Sequence, residues 1–174
     1  MRKLPLLLVV LGSLAVAMTV HSATTGNIKV TSPGVILDLK TGTTPTPVPF
    51  GREVPVPPDT YTPADIICMN QDKAGLWQIK STGPFGKVQQ IQVTEGQTTE
   101  VEAGPPFLIK ATVSTAQTTA QGKVVTIGLV ITGKAGESYS PASITKNKGS
   151  VPPPQFRIVS ENGQVVGQGY FGYG

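Results

Sequence analysis

The chain has 174 residues, 16 of them Pro and 20 Gly, with only 14% charged residues and a formal net charge of +4; that length holds one or two ordinary domains. Its single cysteine, Cys68, excludes an intramolecular disulfide. Its single histidine, His21, falls in a leader, so Ser-His-Asp and Cys-His catalysis, imidazole metal sites and a histidine pH switch are excluded from the mature chain.

Residues 1–22 read as a secretory signal peptide. Arg2-Lys3 is the basic n-region and the apolar core runs on to Val20. Val20-His21-Ser22 places cleavage before Ala23, with Ala15-Val16-Ala17 as a second candidate site. No cysteine follows the apolar core, which excludes a lipid-anchored N-terminus of bacterial type. The mature protein is expected to be secreted, periplasmic or extracellular, attached to a membrane only if the signal stays uncleaved. Loss of Arg2 and Lys3 leaves a net charge of about +2. The remaining lysines are scattered along the chain with no aromatic-interleaved basic stripe, so nucleic acid is not an expected partner.

The mature chain reads as all-β. Residues 28–30 and 35–39 alternate, with Val35, Leu37 and Leu39 on one face and Ile36 and Asp38 on the other. The Pro/Thr-rich stretch 41–49 reads as an extended loop that cannot pair as a central strand. Residues 52–56 suit a short edge strand because Pro55 sits inside them. Tyr61 follows a Pro-Asp turn and offers a buried ring with a polar tip. Residues 65–70 are apolar on both faces, which predicts a strand buried on both sides. The hairpin loop 71–75 leads to 76–81, with Trp77 and Ile79 on one face. Residues 88–94 and 98–102 read as two further strands joined at Glu95-Gly96, with Ile91, Val93, Thr99 and Val101 inward.

Val56-Pro57-Pro58-Asp59-Thr60-Tyr61-Thr62 resembles the turn-then-Tyr signature of carboxypeptidase regulatory-like (prealbumin-type) β-sandwich modules, and residues 91–101 resemble their closing hairpin. The resemblance covers 26–103 and implies an accessory, non-catalytic sandwich. It departs from the family at Pro58-Asp59, where a small residue and Gly are usual, and in the long hairpin between Cys68 and Trp77.

The joint Ala103-Gly104-Pro105-Pro106 cannot continue a central strand and marks a seam. Beyond it, 107–113 alternates with Phe107, Ile109, Ala111 and Val113 inward, 114–122 reads as a polar loop, and 124–132 is the most apolar run of the mature chain. Tyr139 ends a turn, 146–154 reads as a Pro-rich loop, and 155–160 as a strand with Phe156 and Ile158 inward. Asn162-Gly163 predicts a type I′ hairpin, and the tail interleaves Tyr170, Phe171 and Tyr173 with Gly. The apolar run, the Tyr139 turn and Phe156-Arg157-Ile158 entering a Gly hairpin resemble bacterial immunoglobulin-like domains of the proteinase-inhibitor type. The whole is similar to secreted bacterial β proteins.

The expected architecture is therefore two small tandem antiparallel β-sandwich units, prealbumin-like over 26–103 and immunoglobulin-like over 107–174. Each half is near the size at which one core contributes only about 3–5 kcal/mol, so the halves are expected to share a packed interface.

The chemistry of the sequence points to binding rather than catalysis. Cys68 lies between Ile67 and Met69 with no adjacent cation, which suits a buried, inert thiol; the alternative is an intermolecular disulfide in a homodimer. Among carboxylates, Asp59 and Asp65 bracket the Tyr61 strand, while Glu100 and Glu102 share a strand face about 7 Å apart, side by side and not across a cleft. No cofactor or metal motif is present. The candidate contacts for a ligand or partner are Trp77, Tyr139, Tyr170, Phe171 and Tyr173. The expected function is a non-enzymatic binding or structural module of the cell envelope or extracellular space, with protein or polysaccharide as partner. The alternatives are a proteinase inhibitor presenting 43–49 or 146–154, and a carboxylate-only hydrolase.

Overall fold

The computed structural model describes residues 24–120 and 122–172; residues 1–22, read above as a signal peptide, and Tyr173 lie outside them. The protein is an all-β sandwich. β1 (Gly26–Val30) and β2 (Val35–Leu39) alternate buried and half-buried positions, and Ile28, Val30, Val35, Leu37 and Leu39 are buried as the period of two requires.

The Pro/Thr-rich stretch is not wholly a loop. Its second half forms β3 (Thr46–Pro49), an edge strand on β2. The Phe50 N–H donates to the Val35 carbonyl at 3.0 Å, so even-numbered residues aim their N–H groups at β2. Pro47 and Pro49 thus lack an N–H only on the open side, which is how a strand with two prolines can pair. β4 (Glu53–Val56) is the edge strand expected around Pro55 and pairs with β1. β5 (Thr60–Tyr61) buries the Tyr61 ring, whose O–H donates to the Pro57 carbonyl at 2.8 Å.

β6 (Pro63–Asp72) and β7 (Gly75–Ser81) form a long hairpin, closed by Asp72 Oδ1 accepting from the Ala74 and Gly75 N–H groups at 2.7 and 2.9 Å. Ile66 and Cys68 are buried on the inner face, whereas Ile67 and Met69 on the outer face are only half-buried, so this strand is covered fully on one side.

The pairing of the next two strands differs from expectation. Gly86–Val88 is a 3-10 turn, β8 (Ile91–Gln92) pairs with β5, and β9 (Thr98–Val101) lies parallel to β1 instead of closing a hairpin with β8. The intervening loop is tied to the N-terminal strand: Gly96 N–H reaches the Thr25 carbonyl and Asn27 N–H the Gln97 carbonyl, at 2.9 and 2.8 Å. Those bonds carry β9 to β1. Ile91, Val93 and Val101 are buried as read, and Thr99 is half-buried.

Past the joint lie β10 (Leu108–Thr119), β11 (Gly122–Thr132), β12 (Ser138–Tyr139), β13 (Thr145–Lys146), β14 (Gly149–Ser150), β15 (Gln155–Val159) and β16 (Val165–Tyr170). The largest sheet has the order β14-β13-β7-β6-β2-β3, and the sheet β4-β1-β9 covers its β2 region. β13 and β14, which belong to the second half of the sequence, extend this first-half sheet through β7. They take up the first part of the loop expected at 146–154, while 151–154 belongs to no strand. Asn147 and Lys148 both have positive φ, 50° and 67°, and make the two-residue turn between them.

The core is continuous across the joint. Ile131, Ala135 and Tyr139 belong to the same buried cluster as Val35, Leu37, Ile66 and Cys68, and Phe107, Leu129 and Ile144 pack against it. Gly104, at φ +88°, threads between the covering elements: a Cβ there would stand 2.7 Å from Val35 Cγ2 and 3.0 Å from Cys68 Sγ. The joint therefore has no room for a side chain.

Two hairpins extend from this body. β10 continues to Thr119, where a polar loop was expected, because its β-branched threonines pair along β11 with a bulge between Val113 and Thr115. Ile109, Ala111 and Val113, expected inward, are exposed, Ile109 at 62% and Val113 at 65%. Among the described residues β12 pairs with β11 at Ile131 and Thr132, near the base of the arm.

The β15–β16 turn is also not type I′. Gly163 alone has positive φ, and Gly163 N–H bonds to the Ser160 carbonyl at 2.8 Å, a type I turn followed by a left-handed glycine. Phe156 lies opposite Gly169, where a Cβ would stand 2.9 Å from its ring, and Ile158 lies opposite Gly167. The glycines of the tail are thus seats for cross-strand side chains.

Candidate functional site: an apolar groove over a buried carboxylate

The inner face of β6 and β7 is longer than the β4-β1-β9 sheet can cover. Its far end, with Cys68, Asn70, Trp77 and Ile79, is roofed by the start of the second half. The roof is incomplete and leaves an apolar groove of about 470 Å³. Phe107, Ile109, Ile131 and Ile144 form its opposite wall. Polar groups are few there, chiefly Asn70 and Gln78.

Trp77 stands in the wall and is held at both ends. Its Nε1–H donates to Asp72 Oδ2 at 3.0 Å, and Lys146 Nζ lies 5.0 Å from the ring centroid in a cation–π contact. β13 places Lys146 opposite Trp77, and Asn147 ties the same corner by accepting the Leu76 N–H at 2.9 Å.

Beneath the groove runs a buried polar chain that the sequence reading did not find. Glu137 is 0% exposed. Its Oε1 accepts the Gly104 N–H and the Tyr139 O–H (2.8 Å), and its Oε2 accepts the Ala135 N–H at 2.9 Å. Tyr139 gives its proton to Glu137, so Cys68, 3.2 Å from the tyrosine oxygen, is the donor of the thiol–hydroxyl bond. Burial pushes the Cys68 thiol up to about 11, against the lowering effect of the Tyr139 bond and with a further rise from the Glu137 charge. It is protonated at neutral pH and unreactive. Burial, followed by the Cys68 and Glu137 interactions, also raises the Tyr139 phenol. This chain fastens the joint (Gly104), the β11–β12 turn (Ala135, Glu137) and β6 (Cys68) to one another. The only sequence signal for Glu137 was an acidic residue two positions before a tyrosine in a Gly-rich turn, which ordinarily reads as solvated.

The five candidate contact residues fall in different places. Trp77 lines the groove. Tyr139 is buried beneath it, edge-on to Phe107 with centroids 5.0 Å apart, and serves the core rather than a surface. Phe171 is buried against Phe156, 5.2 Å between centroids, while Tyr170 is 61% exposed and accepts a bond from Gln155 Nε2 at 3.2 Å. Tyr173 lies outside the described residues. The four described residues do not converge on one surface.

Three of the four carboxylates singled out from sequence have separate local partners, and Glu100 is exposed on β9. Asp59 accepts the Thr60 N–H at 2.7 Å, Asp65 pairs with Lys80 at 2.8 Å, and Glu102 pairs with Lys134 at 2.9 Å. The register sets Asp38 directly opposite Asp65, a pairing not anticipated. Burial and then the Asp65 charge raise the Asp38 carboxyl, with Lys80 opposing. A raised carboxyl binds its proton more tightly in the folded than in the unfolded chain, so its contribution to stability falls as pH rises from the ordinary carboxylate value through the raised one. Asp38→Asn is therefore expected to stabilise the fold at pH 7 by about 0.2–1 kcal/mol and to have little effect near pH 3, as read from urea midpoints at both pH values.

Among the described residues, no helix is long and apolar enough to cross a membrane, and no group of three or more His, Cys, Asp or Glu side chains is placed to hold a metal ion. Comparison with protein-family models, with curated proteins and with solved structures found no match for this chain.

Proposed function

We propose that this protein is a non-catalytic binding module of the extracellular or envelope space, and that it binds a protein by taking apolar side chains of an extended segment into the groove beside Trp77. The observation that carries the reading is the lining: an aromatic and aliphatic groove with a rigidly held tryptophan and few hydrogen-bonding groups. An apolar side chain gains from burial there. A polysaccharide would leave its hydroxyls unpaired on these walls, at a desolvation cost. Lys146 already lies over the Trp77 ring where a sugar would stack. The inhibitor reading is less favoured because part of each proposed loop is paired in a sheet, 46–49 in β3, and Lys146 and 149–150 in β13 and β14.

The test is titration of the mature chain, followed by Trp77 fluorescence, with a blocked peptide bearing alternate Leu and Phe and, separately, with cellohexaose. The expected result is saturable binding of the peptide alone, weakened at least about tenfold by Ile144→Glu. Saturation by the oligosaccharide, with no response to the peptide, would overturn the reading.

A further inference from the structure

The sheet edges of this protein are not treated alike. β3 carries Pro47 and Pro49, and β4 carries Pro55. β14 has two residues and is followed by Pro152, Pro153 and Pro154; β12 has two and is followed by Pro141. Prolines and short lengths are the usual means of keeping another strand from adding to an edge. β10 has neither. It is the outer strand of the sheet β10-β11-β12, twelve residues long, with no Pro, no Gly and Lys110 as its only charged residue. Apolar side chains on both faces of its hairpin are exposed: Ile109, Val113 and Val125 on one, Leu108, Val124 and Val130 on the other.

We propose that β10 is a homodimerisation strand, adding antiparallel to β10 of a second copy across a two-fold axis to give a continuous sheet in the order β11-β10-β10-β11. The second copy is the occupant because the strand carries nothing that opposes its own sequence. In an antiparallel self-pairing, the lone Lys110 faces an uncharged residue in every register except the one centred on itself. The outer edge of residues 108–118, spanning about 36 Å with one bulge between Val113 and Thr115, offers backbone N–H and C=O groups to an identical strand on either side of that bulge. Val113 would lie beside apolar side chains of the second copy instead of water. A dimer through β10 does not require the Cys68 disulfide, and the buried thiol is not presented to another chain.

Analytical ultracentrifugation of the mature chain tests this beside the double variant Ala111→Lys/Val113→Lys. Both positions are exposed and neither lines the groove, so folding and the peptide binding proposed above stay intact while like charges crowd the edge. The expected result is a concentration-dependent dimer whose dissociation constant rises at least about tenfold in the variant. Cysteines placed singly at Ala111, Val113 and Gln117 give the geometry: oxidation should link copies best at the position nearest the axis and less well on either side. A mature chain that stays monomeric, a dimer indifferent to the two lysines, or a dimer with no cross-linking along β10 overturns the proposal. Membrane vesicles or another protein engaging β10 with no dimer formed would do the same.

Discussion

Replacing Glu137 by alanine is expected to cost about 4 kcal/mol or more, enough to unfold much of the population at moderate temperature. The carboxylate is fully buried and takes three donors: the Gly104 and Ala135 N–H groups and the Tyr139 hydroxyl. Alanine leaves all three without a partner, and each orphaned buried donor costs about 1–3 kcal/mol. A cavity adds to this. Glu137→Gln keeps the volume but turns an amide N–H toward at least one of those donors, so an intermediate loss of about 1–3 kcal/mol is expected. Glu102→Ala, which removes an exposed ion pair with Lys134, is the control, and should cost less than about 1 kcal/mol. Urea midpoints at unchanged slope measure all three. A Glu137→Ala chain as stable as the control would show that the carboxylate does not fasten the joint.

The second large effect is expected in the sandwich itself. Leu37 is fully buried on β2, between Val48 of β3 and Ile66 of β6 in the ladder, and faces the covering sheet. Leu37→Ala should cost about 2–5 kcal/mol through lost burial and a residual cavity. Ile36→Ala, one residue away on the half-buried outer face, removes a similar side chain from a site already partly in water and should cost clearly less. Equal losses at the two positions would mean that the inner and outer faces have been assigned wrongly.

Much of the sandwich was legible in the sequence because period-two alternation is a local signal. Val35, Leu37 and Leu39, the edge character forced by Pro55, the Tyr61 ring with its polar tip and the buried Cys68 could all be read this way. What the sequence did not reveal was partnership at a distance. The parallel β9–β1 pair depends on backbone bonds from 96 and 97 to the N-terminal strand, which leave no mark on the intervening residues. β13 and β14 are two residues each, too short to alternate, and take their place by pairing with β7. In β10 the alternation was read correctly as a strand, but alternation does not say that the face is covered. Val113 has the pattern of a core residue and stands in solvent.

The candidate site shows the same division. Trp77 was visible as a lone aromatic among strands, but the groove it lines needs Phe107, Ile131 and Ile144 brought onto β6 and β7 from the far side of the joint. The Gly-aromatic tail pointed to a surface that the structure resolves into cross-strand seating of Phe156 over Gly169 and burial of Phe171. Glu137 was missed because a buried carboxylate has no sequence signature apart from its partners, two of which are backbone N–H groups.

The central claim is that one core spans the joint, with the second half completing a sheet that the first half cannot cover alone. Differential scanning calorimetry of residues 23–174 tests it most directly. A single transition is expected, with calorimetric and van't Hoff enthalpies in agreement and with Leu37→Ala and Glu137→Ala each lowering that one midpoint. Two separated transitions, one moved only by Leu37→Ala and the other only by Glu137→Ala, would contradict it.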